Sequence, residues 1–288
     1  MRVLYVTERW DAPYRYRCRA AIDQLRAEGV FANLRHLADR ALIDEVPRYG
    51  VVVLFRLPWS ERVEAVIAAA RQARLAVLFD IDDLIFDPSF AALLPFRRRY
   101  SARDWHASYG TTIAALSRTF SQCDAFIGST PELAERAALL GKPAHVHPNI
   151  APELYLRLGR VTDRARPLVR STPIIGYFSG SDTHDEDFRF IAPALRRVLA
   201  KRPETRLLVG GHLAFGRREA DLERRTVRLP YMNWRHFAIA HAACDVVLAP
   251  LSLVNAFTNG KSALKFFEAG AFFTPLVATP VRELARAV

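Results

Sequence analysis

Lys261, Lys265 and Glu268 lie in the stretch Asn259-Gly260-Lys261-Ser262-Ala263-Leu264-Lys265-Phe266-Phe267-Glu268-Ala269-Gly270-Ala271, which leads into the apolar run Pro275-Leu276-Val277-Ala278-Thr279. The spacing predicts a helix bearing two ammonium groups and one carboxylate, then a buried strand. A helix start of this kind suits a phosphorylated ligand, because its unpaired amides and dipole already favour an anion. The plain alternative for Lys261 is an exposed helix-start lysine. Glu268 has apolar neighbours, so it reads as a buried carboxylate with a specific partner.

A second constellation is Gly176-Tyr177-Phe178-Ser179-Gly180-Ser181-Asp182-Thr183-His184-Asp185-Glu186-Asp187-Phe188. An apolar strand here runs into a small, hydroxyl-rich loop and then a helix N-terminus, so backbone amides around Gly180 and Ser181 are offered to an anion. Asp185, Glu186 and Asp187 in the first turn also have a structural use, since carboxylates there favour the helix dipole. A third is the acidic run Phe79-Asp80-Ile81-Asp82-Asp83-Leu84-Ile85-Phe86-Asp87. Asp82 or Asp83 would orient or deprotonate a hydroxyl there, or would simply cap a loop by accepting from backbone amides. His145 and His147 alternate on a predicted strand and share a face, but no third ligand accompanies them and no metal site is expected.

The elements that must position these groups alternate along the whole chain. Strands are predicted at Arg2 to Val6, Phe31 to His36, Val51 to Phe55, Leu75 to Phe79, Ala125 to Gly128 and Ala144 to His147, with helical spacing at Tyr14 to Ala27, Glu61 to Arg74, Thr111 to Cys123 and Pro131 to Leu140. A composition break at Leu156 to Pro173 reads as an interdomain linker. The alternation restarts with strands at Ile174 to Phe178, Arg206 to Val209, Thr226 to Leu229, Val246 to Ala249 and Leu276 to Ala278, and helices near Phe188 to Lys201, Asn233 to Ala243 and at Lys261. Cys123-Asp124-Ala125-Phe126-Ile127 and Cys244-Asp245-Val246-Val247-Leu248 echo each other, each ending a helix and opening a strand. Such alternation implies parallel sheets with crossover helices, hence an α/β chain of two Rossmann-like domains, 1–160 and 170–288. The chain stops inside what reads as a new helix, Arg282 to Val288, so helices completing the second domain are absent or belong to a longer natural protein.

The 288 residues suffice for two cores, and 51% hydrophobic with 25% charged residues is a globular composition without a sign of disorder. The first residues enter a strand directly and resemble neither a signal peptide nor a membrane span, so a cytoplasmic protein is expected. Cys18, Cys123 and Cys244 are widely spaced and read as buried, reduced thiols. The net charge of +11 is almost all arginine, lysine occurring only at 142, 201, 261 and 265. Clusters such as Arg97-Arg98-Arg99 and Arg217-Arg218 lack the interleaved aromatics of a single-strand platform, and no nucleic-acid module accompanies the charge, so nucleic acid is not an expected partner. A basic surface of this kind suits peripheral contact with an anionic membrane, at its inner face.

The order Lys-Ser, Lys-Phe, Glu-Ala, small residues, Pro and apolar strand at 259–279 resembles the donor-binding segment of GT-B fold nucleotide-sugar glycosyltransferases, family 4 and its relatives (glycosyl transferases group 1). The Ser-Gly-Ser, His-Asp and Asp-Phe order at 176–188 is similar to a second segment of the same family, and the two stand in the expected order about 80 residues apart. First-domain Asp-Asp-Leu at 82–84, Ser129-Thr130-Pro131-Glu132-Leu133 and His147-Pro148-Asn149 complete the resemblance. The resemblance implies two Rossmann-like domains facing a cleft, and transfer of a sugar from a nucleoside diphosphate donor to a hydroxyl acceptor, retaining, in glycan or surface polysaccharide synthesis. Glu268 would hold the donor ribose, and Lys261 or Lys265 would neutralise the departing diphosphate, where fixed cations stabilise developing charge without reorganising. Gly180, Ser181, His184, Asn259 and Ser262 would line the donor, with Asp82 and Asp83 on the acceptor side. Arg15 and Arg17, following the first strand where the family carries a glycine-rich turn, would reach the acceptor or merely pack.

No cofactor is implied beyond the nucleotide-sugar substrate, and no metal is required. Asp80-Ile81-Asp82 resembles the metal-binding Asp-x-Asp of the other glycosyltransferase fold, to which two Rossmann-like halves are unsuited. One departure is plain: the family's first glutamate would fall eight positions before Glu268, at Gly260, which has no side chain. That departure keeps open an alternative, a noncatalytic GT-B-like domain that binds a sugar nucleotide or a partner within a larger polysaccharide-assembly protein.

Overall fold

Eleven short, largely apolar strands pair in two all-parallel sheets in a computed structural model that describes residues 1–94, 97, 100–164 and 172–287, without the side chains of Arg164, Asp182 and Trp234. The first sheet comprises β1 (Arg2–Thr7), β2 (Phe31–His36), β3 (Val51–Phe55), β4 (Ala76–Ile81), β5 (Ala125–Gly128) and β6 (Ala144–Val146) in the order β2-β1-β3-β4-β5-β6. The second comprises β7 (Ile174–Ser179), β8 (Arg206–Gly211), β9 (Thr226–Leu229), β10 (Val246–Ala249) and β11 (Leu276–Ala278) in the order β11-β10-β7-β8-β9. The chain forms two compact units, Met1–Ile150 with Asn255–Ser262, and Ala151–Val254 with Ala263–Val288.

Parallel strands need both faces covered, and helical crossovers cover them. The helix Glu61–Gln72 shows how: Ser60 caps it by accepting from the Val63 amide, and Val63, Val66, Ile67 and Ala70 form one buried stripe against the core of the first unit. Pro131 opens Pro131–Leu139 behind Thr130, whose hydroxyl accepts from the Leu133 amide. The Cys-Asp echo has a physical cause in both units. Asp124 Oδ2 accepts from the Val77 amide at 2.8 Å, and Asp245 Oδ2 from the Ile174 amide at 2.7 Å, each aspartate tying its strand to the neighbouring one. Cys123 and Cys244 beside them are buried, as is Cys18, and burial pushes the Cys123 thiol up to about 12.

Each sheet reverses its winding once, between β1 and β3 in the first and between β7 and β10 in the second. Ligands of open α/β sheets bind outside the carboxyl ends of the strands at such switch points. The loops after β1, β3 and β4, and those after β7 and β10, are therefore the places to look for chemistry.

Two expected elements differ. The break at Leu156 to Pro173 is not simply a linker: Glu153–Arg164 is a helix, buried through Tyr155, with the backbone of Gly159 against Ala271 so closely that a Cβ would lie 1.7 Å from the Ala271 oxygen. Residues 165–171 of that break lie outside the described residues, as do Arg98 and Arg99 of the basic cluster. Lys261, read as part of a helix, lies instead between two helices, Ala256–Asn259 and Leu264–Ala271. Gly260 ends the first, its amide donating to Ala256 and Phe257, and the chain is then held by long-range bonds that propensity does not encode.

Candidate functional site

Six charged side chains meet at the carboxyl edge of the first sheet. Arg17 lies on the helical stretch 12–27, which follows β1 and widens into a π turn over Arg15–Arg19, a deviation often found where a helix serves a site. Its guanidinium is 0% exposed, grips Asp80 of β4 through two bonds (Nε–Oδ1 2.9 Å, Nη2–Oδ2 3.0 Å), and also donates to the His147 carbonyl. Arg17 is thus built into the fold, and Asp80 is occupied. Arg15, half-buried on the same turn, has no hydrogen bond at its Nε.

Arg56, at the end of β3, was not singled out from sequence. It adopts a left-handed backbone (φ 47°), a strained conformation for arginine. From there Nη1 reaches Asp82 Oδ1 at 2.9 Å and Nη2 reaches Asp83 Oδ2 at 3.2 Å. The signal that could have found it is a charge placed directly after the apolar run Val51–Phe55, at a strand's carboxyl end. Asp83 also accepts from Lys261 Nζ at 2.6 Å. Burial pushes the Asp82 carboxyl above its ordinary range, Arg56 opposing and the neighbouring Asp83 carboxylate adding. Among the described residues no group of three or more His, Cys, Asp or Glu is arranged to hold a metal ion, and the Asp80-Ile81-Asp82 carboxylates are instead engaged by arginines.

The segment Asn255–Ser262 belongs to this unit. Thr130, besides capping its helix, donates to the Gly260 carbonyl at 3.2 Å, and Asn149 Nδ2 donates to Ser262 Oγ at 2.9 Å. Asn259 is the last residue of its helical turn. Gly260 is buried, and a Cβ there would come within 3.3 Å of Leu133 Cδ2 and of the Phe257 oxygen. A side chain at this position would need those neighbours to give by a few tenths of an ångström.

In the second unit, β7 ends at Ser179 and a single turn, Asp182–His184, leads to the helix Asp185–Lys201. Gly180 is exposed and its surroundings are open, and among the described residues the amides of Gly180 and Ser181 donate to no protein acceptor. Ser181 Oγ is 2.6 Å from Thr183 Oγ1, and His184 Nδ1 is 2.9 Å from Asp187 Oδ2. Asp187 does more than favour a dipole: its Oδ1 accepts from the Ser252 amide at 2.7 Å and hydroxyl at 2.8 Å, joining the loops after β7 and β10 across the switch point. Asp185 likewise accepts from the Ala214 amide at 3.2 Å. Glu268, 3% exposed, lies 3.2 Å from Lys265 Nζ, one helical turn earlier. No helix among the described residues is long and apolar enough to cross a membrane.

No protein-family model matches the chain, and no curated protein matches it. Solved structures do. The chain is similar to UDP-GlcNAc 2-epimerase from Neisseria meningitidis bound to UDP-GlcNAc, at 10% identity over all of this chain and 85% of that one, with a TM-score of 0.54. It is similar to an α,α-trehalose-phosphate synthase (UDP-forming) from Burkholderia xenovorans in complex with glucose-6-phosphate, at 12% identity over 99% of this chain and 87% of that one, with a TM-score of 0.57. It is also similar to WaaG, a glycosyltransferase involved in lipopolysaccharide biosynthesis, at 14% identity over 99% and 83% of the two chains, with a TM-score of 0.57. The likeness is one of fold: two parallel, Rossmann-like sheets matching GT-B structures.

Proposed function

We propose that the protein is a glycosyltransferase that moves a sugar from a nucleoside diphosphate donor to a hydroxyl acceptor, with retention, in glycan or surface polysaccharide synthesis. The observation that carries the reading is the loop after β7, where two successive amides, of Gly180 and Ser181, have no acceptor among the described residues at a switch point. A phosphate oxygen satisfies such amides, and the adjoining helix dipole favours its charge. In this reading Glu268, steadied by Lys265, accepts from the donor ribose, and Lys261 takes up charge on the diphosphate as it leaves. His184, held by Asp187, lines the same loop, and Asn259 and Ser262 flank Lys261. Asp82 and Asp83 serve the acceptor hydroxyl, with Arg15 as a further acceptor-side cation.

The test is calorimetry with UDP-, GDP-, TDP- and CDP-sugars, with and without Mg²⁺, on the protein and on Glu268→Ala. Metal-independent binding of one nucleotide, lost in the variant, is expected. Binding by none of them counts against the proposal. The glycine at 260 favours a second reading, a noncatalytic domain that binds a sugar nucleotide or a partner, because that position offers no side chain to a sugar. Release of free nucleotide on addition of an acceptor separates the two.

A further inference from the structure

The arginines and the lysine that meet the acidic run of the first unit are each matched by a carboxylate, but the matches are unequal. Arg17 and Asp80 are 0% and 1% exposed and doubly bonded. Lys261 and Asp83 keep 31% and 21% exposure and share one short contact. Asp83 has a second cationic partner, Arg56 Nη2, on its other oxygen at 3.2 Å. A carboxylate that gives up Lys261 is therefore not left stranded, and the steep cost of an uncompensated charge does not arise.

The seat of Lys261 does not depend on that ion pair. The residue before it is held through its carbonyl by Thr130 and the residue after it through its hydroxyl by Asn149, while the ammonium lies 4.6 Å from the centroid of the Phe257 ring. Neither of the two anchoring hydrogen bonds involves Asp83. Carboxylate and phosphate oxygens present the same hydrogen-bond acceptor to a lysine, which binds either as a point charge.

We propose that Asp83 is a built-in competitor for the anionic ligand of Lys261: it occupies the ammonium when no anion is bound, and yields it, remaining on Arg56, when a phosphate oxygen arrives. The proposal rests on the reading of Lys261 as the cation of the donor diphosphate. Donor affinity is then the difference between two pairings, and the carboxylate that limits binding also helps expel the diphosphate product. An ion pair that is removed usually weakens the site around it; here removing the carboxylate strengthens ligand binding.

The experiment is calorimetric titration of inorganic pyrophosphate into the protein, Asp83→Asn, Lys261→Ala and the double variant. Asp83→Asn is expected to tighten binding by about twofold to fivefold, within the range that a partly exposed ion pair supports. Lys261→Ala is expected to weaken binding, and the gain from Asp83→Asn to vanish in its background. Unchanged or weaker binding in Asp83→Asn, with binding lost in Lys261→Ala, overturns the competitor and leaves Lys261 as the phosphate cation. Unchanged binding in Lys261→Ala overturns both. Circular dichroism checks that the variants fold. Should Asp83→Asn not fold, the natural sequence is read directly by ¹³C reductive methylation: with lysines only at 142, 201, 261 and 265, the Lys261 resonance is assigned by its loss in Lys261→Ala. That resonance is expected to move as pyrophosphate binds, and one that stays in place overturns the exchange.

Discussion

Arg17 and Asp80 meet face to face through two parallel hydrogen bonds, 2.9 and 3.0 Å, at a place where neither side chain is reached by solvent. Two desolvated charges are tolerated there because the geometry is bidentate and the remaining guanidinium donor has the His147 carbonyl to serve. Asp80 lies within β4, and Arg17 on the helix after β1, so the pair fixes how that helix lies on the sheet. Arg17→Met is expected to destabilise the protein by about 3–5 kcal/mol, since it leaves a buried carboxylate unpaired. Arg17→Met with Asp80→Leu should lose distinctly less, and denaturant unfolding of the three proteins measures the difference. Equal losses in the single and double variants would mean that packing, and not the unpaired charge, sets the cost.

Two glycines of the second unit separate folding from binding. Gly211 has φ 87°, and a Cβ there would lie 2.1 Å from the Ser179 oxygen, so Gly211→Ala is sterically excluded from the present backbone. Its expected cost exceeds about 1 kcal/mol, from strain at positive φ and displacement of the β7 end. Gly180 has open space around its Cα, and Gly180→Ala should leave the melting temperature nearly unchanged. If the amides after β7 bind a phosphate, the same substitution weakens nucleotide binding, and a variant that binds as well as the parent argues against that loop.

His147 supplies a pH dependence with a definite sign. Burial, reinforced by the positive Arg17, lowers its pKa from 6.5 to about 4. Its Nε2 contacts Gln24 Oε1 at 3.0 Å, and its Nδ1 is buried without a partner. Between those two values the unfolded chain binds a proton that the native protein does not, so stability rises with pH across the window. This contribution is fully present above pH 6.5 and is lost as pH falls towards about 4. His147→Asn should flatten the dependence of urea midpoints over that range, and an unaltered slope would assign it to other groups.

Much of the fold was legible because the strands carry their own punctuation. Val51–Phe55 lies between Gly50 and Arg56, and Ala125–Gly128 between Asp124 and the Ser129-Thr130-Pro131 helix start; their apolar runs have the length of buried parallel strands. The helix Glu153–Arg164 was hidden because its exposed face mixes apolar Leu154, Leu156 and Val161 with charged residues and so blurs the helical period, while its buried side needs only Tyr155, Leu158 and a glycine against Phe272 and Ala271. The site was less legible than the fold. Arg56 and Asp82 are far apart in sequence and meet only because β3 and β4 are parallel neighbours, with Phe55 opposite Asp80. Lys261 has a helix-like pattern, yet Thr130 and Asn149 hold its neighbours, and tertiary bonds of that separation override local spacing.

Asp187 joins the two loops at the switch point of the second sheet and should be indispensable to their geometry. One oxygen accepts from both the amide and the hydroxyl of Ser252, and the other contacts His184 Nδ1. Burial would raise its pKa, but His184 and the two Ser252 donors outweigh burial and hold the carboxyl below its ordinary range. The native protein therefore binds this proton less readily than the unfolded chain. The stability concerned is present above the ordinary carboxylate range and is lost as pH falls through it. Asp187→Asn is expected to cost about 1–3 kcal/mol, because an amide cannot accept at both positions and leaves buried donors unsatisfied. Ser252→Ala removes only the hydroxyl donor and should cost less, with the amide contact kept. If the Gly180 loop holds the donor phosphates, both variants weaken nucleotide binding in the same order as they lower stability, since each loosens the loop that presents the amides. Nucleotide affinity that is indifferent to Asp187→Asn in a protein still folded at the measuring temperature would place the phosphates elsewhere.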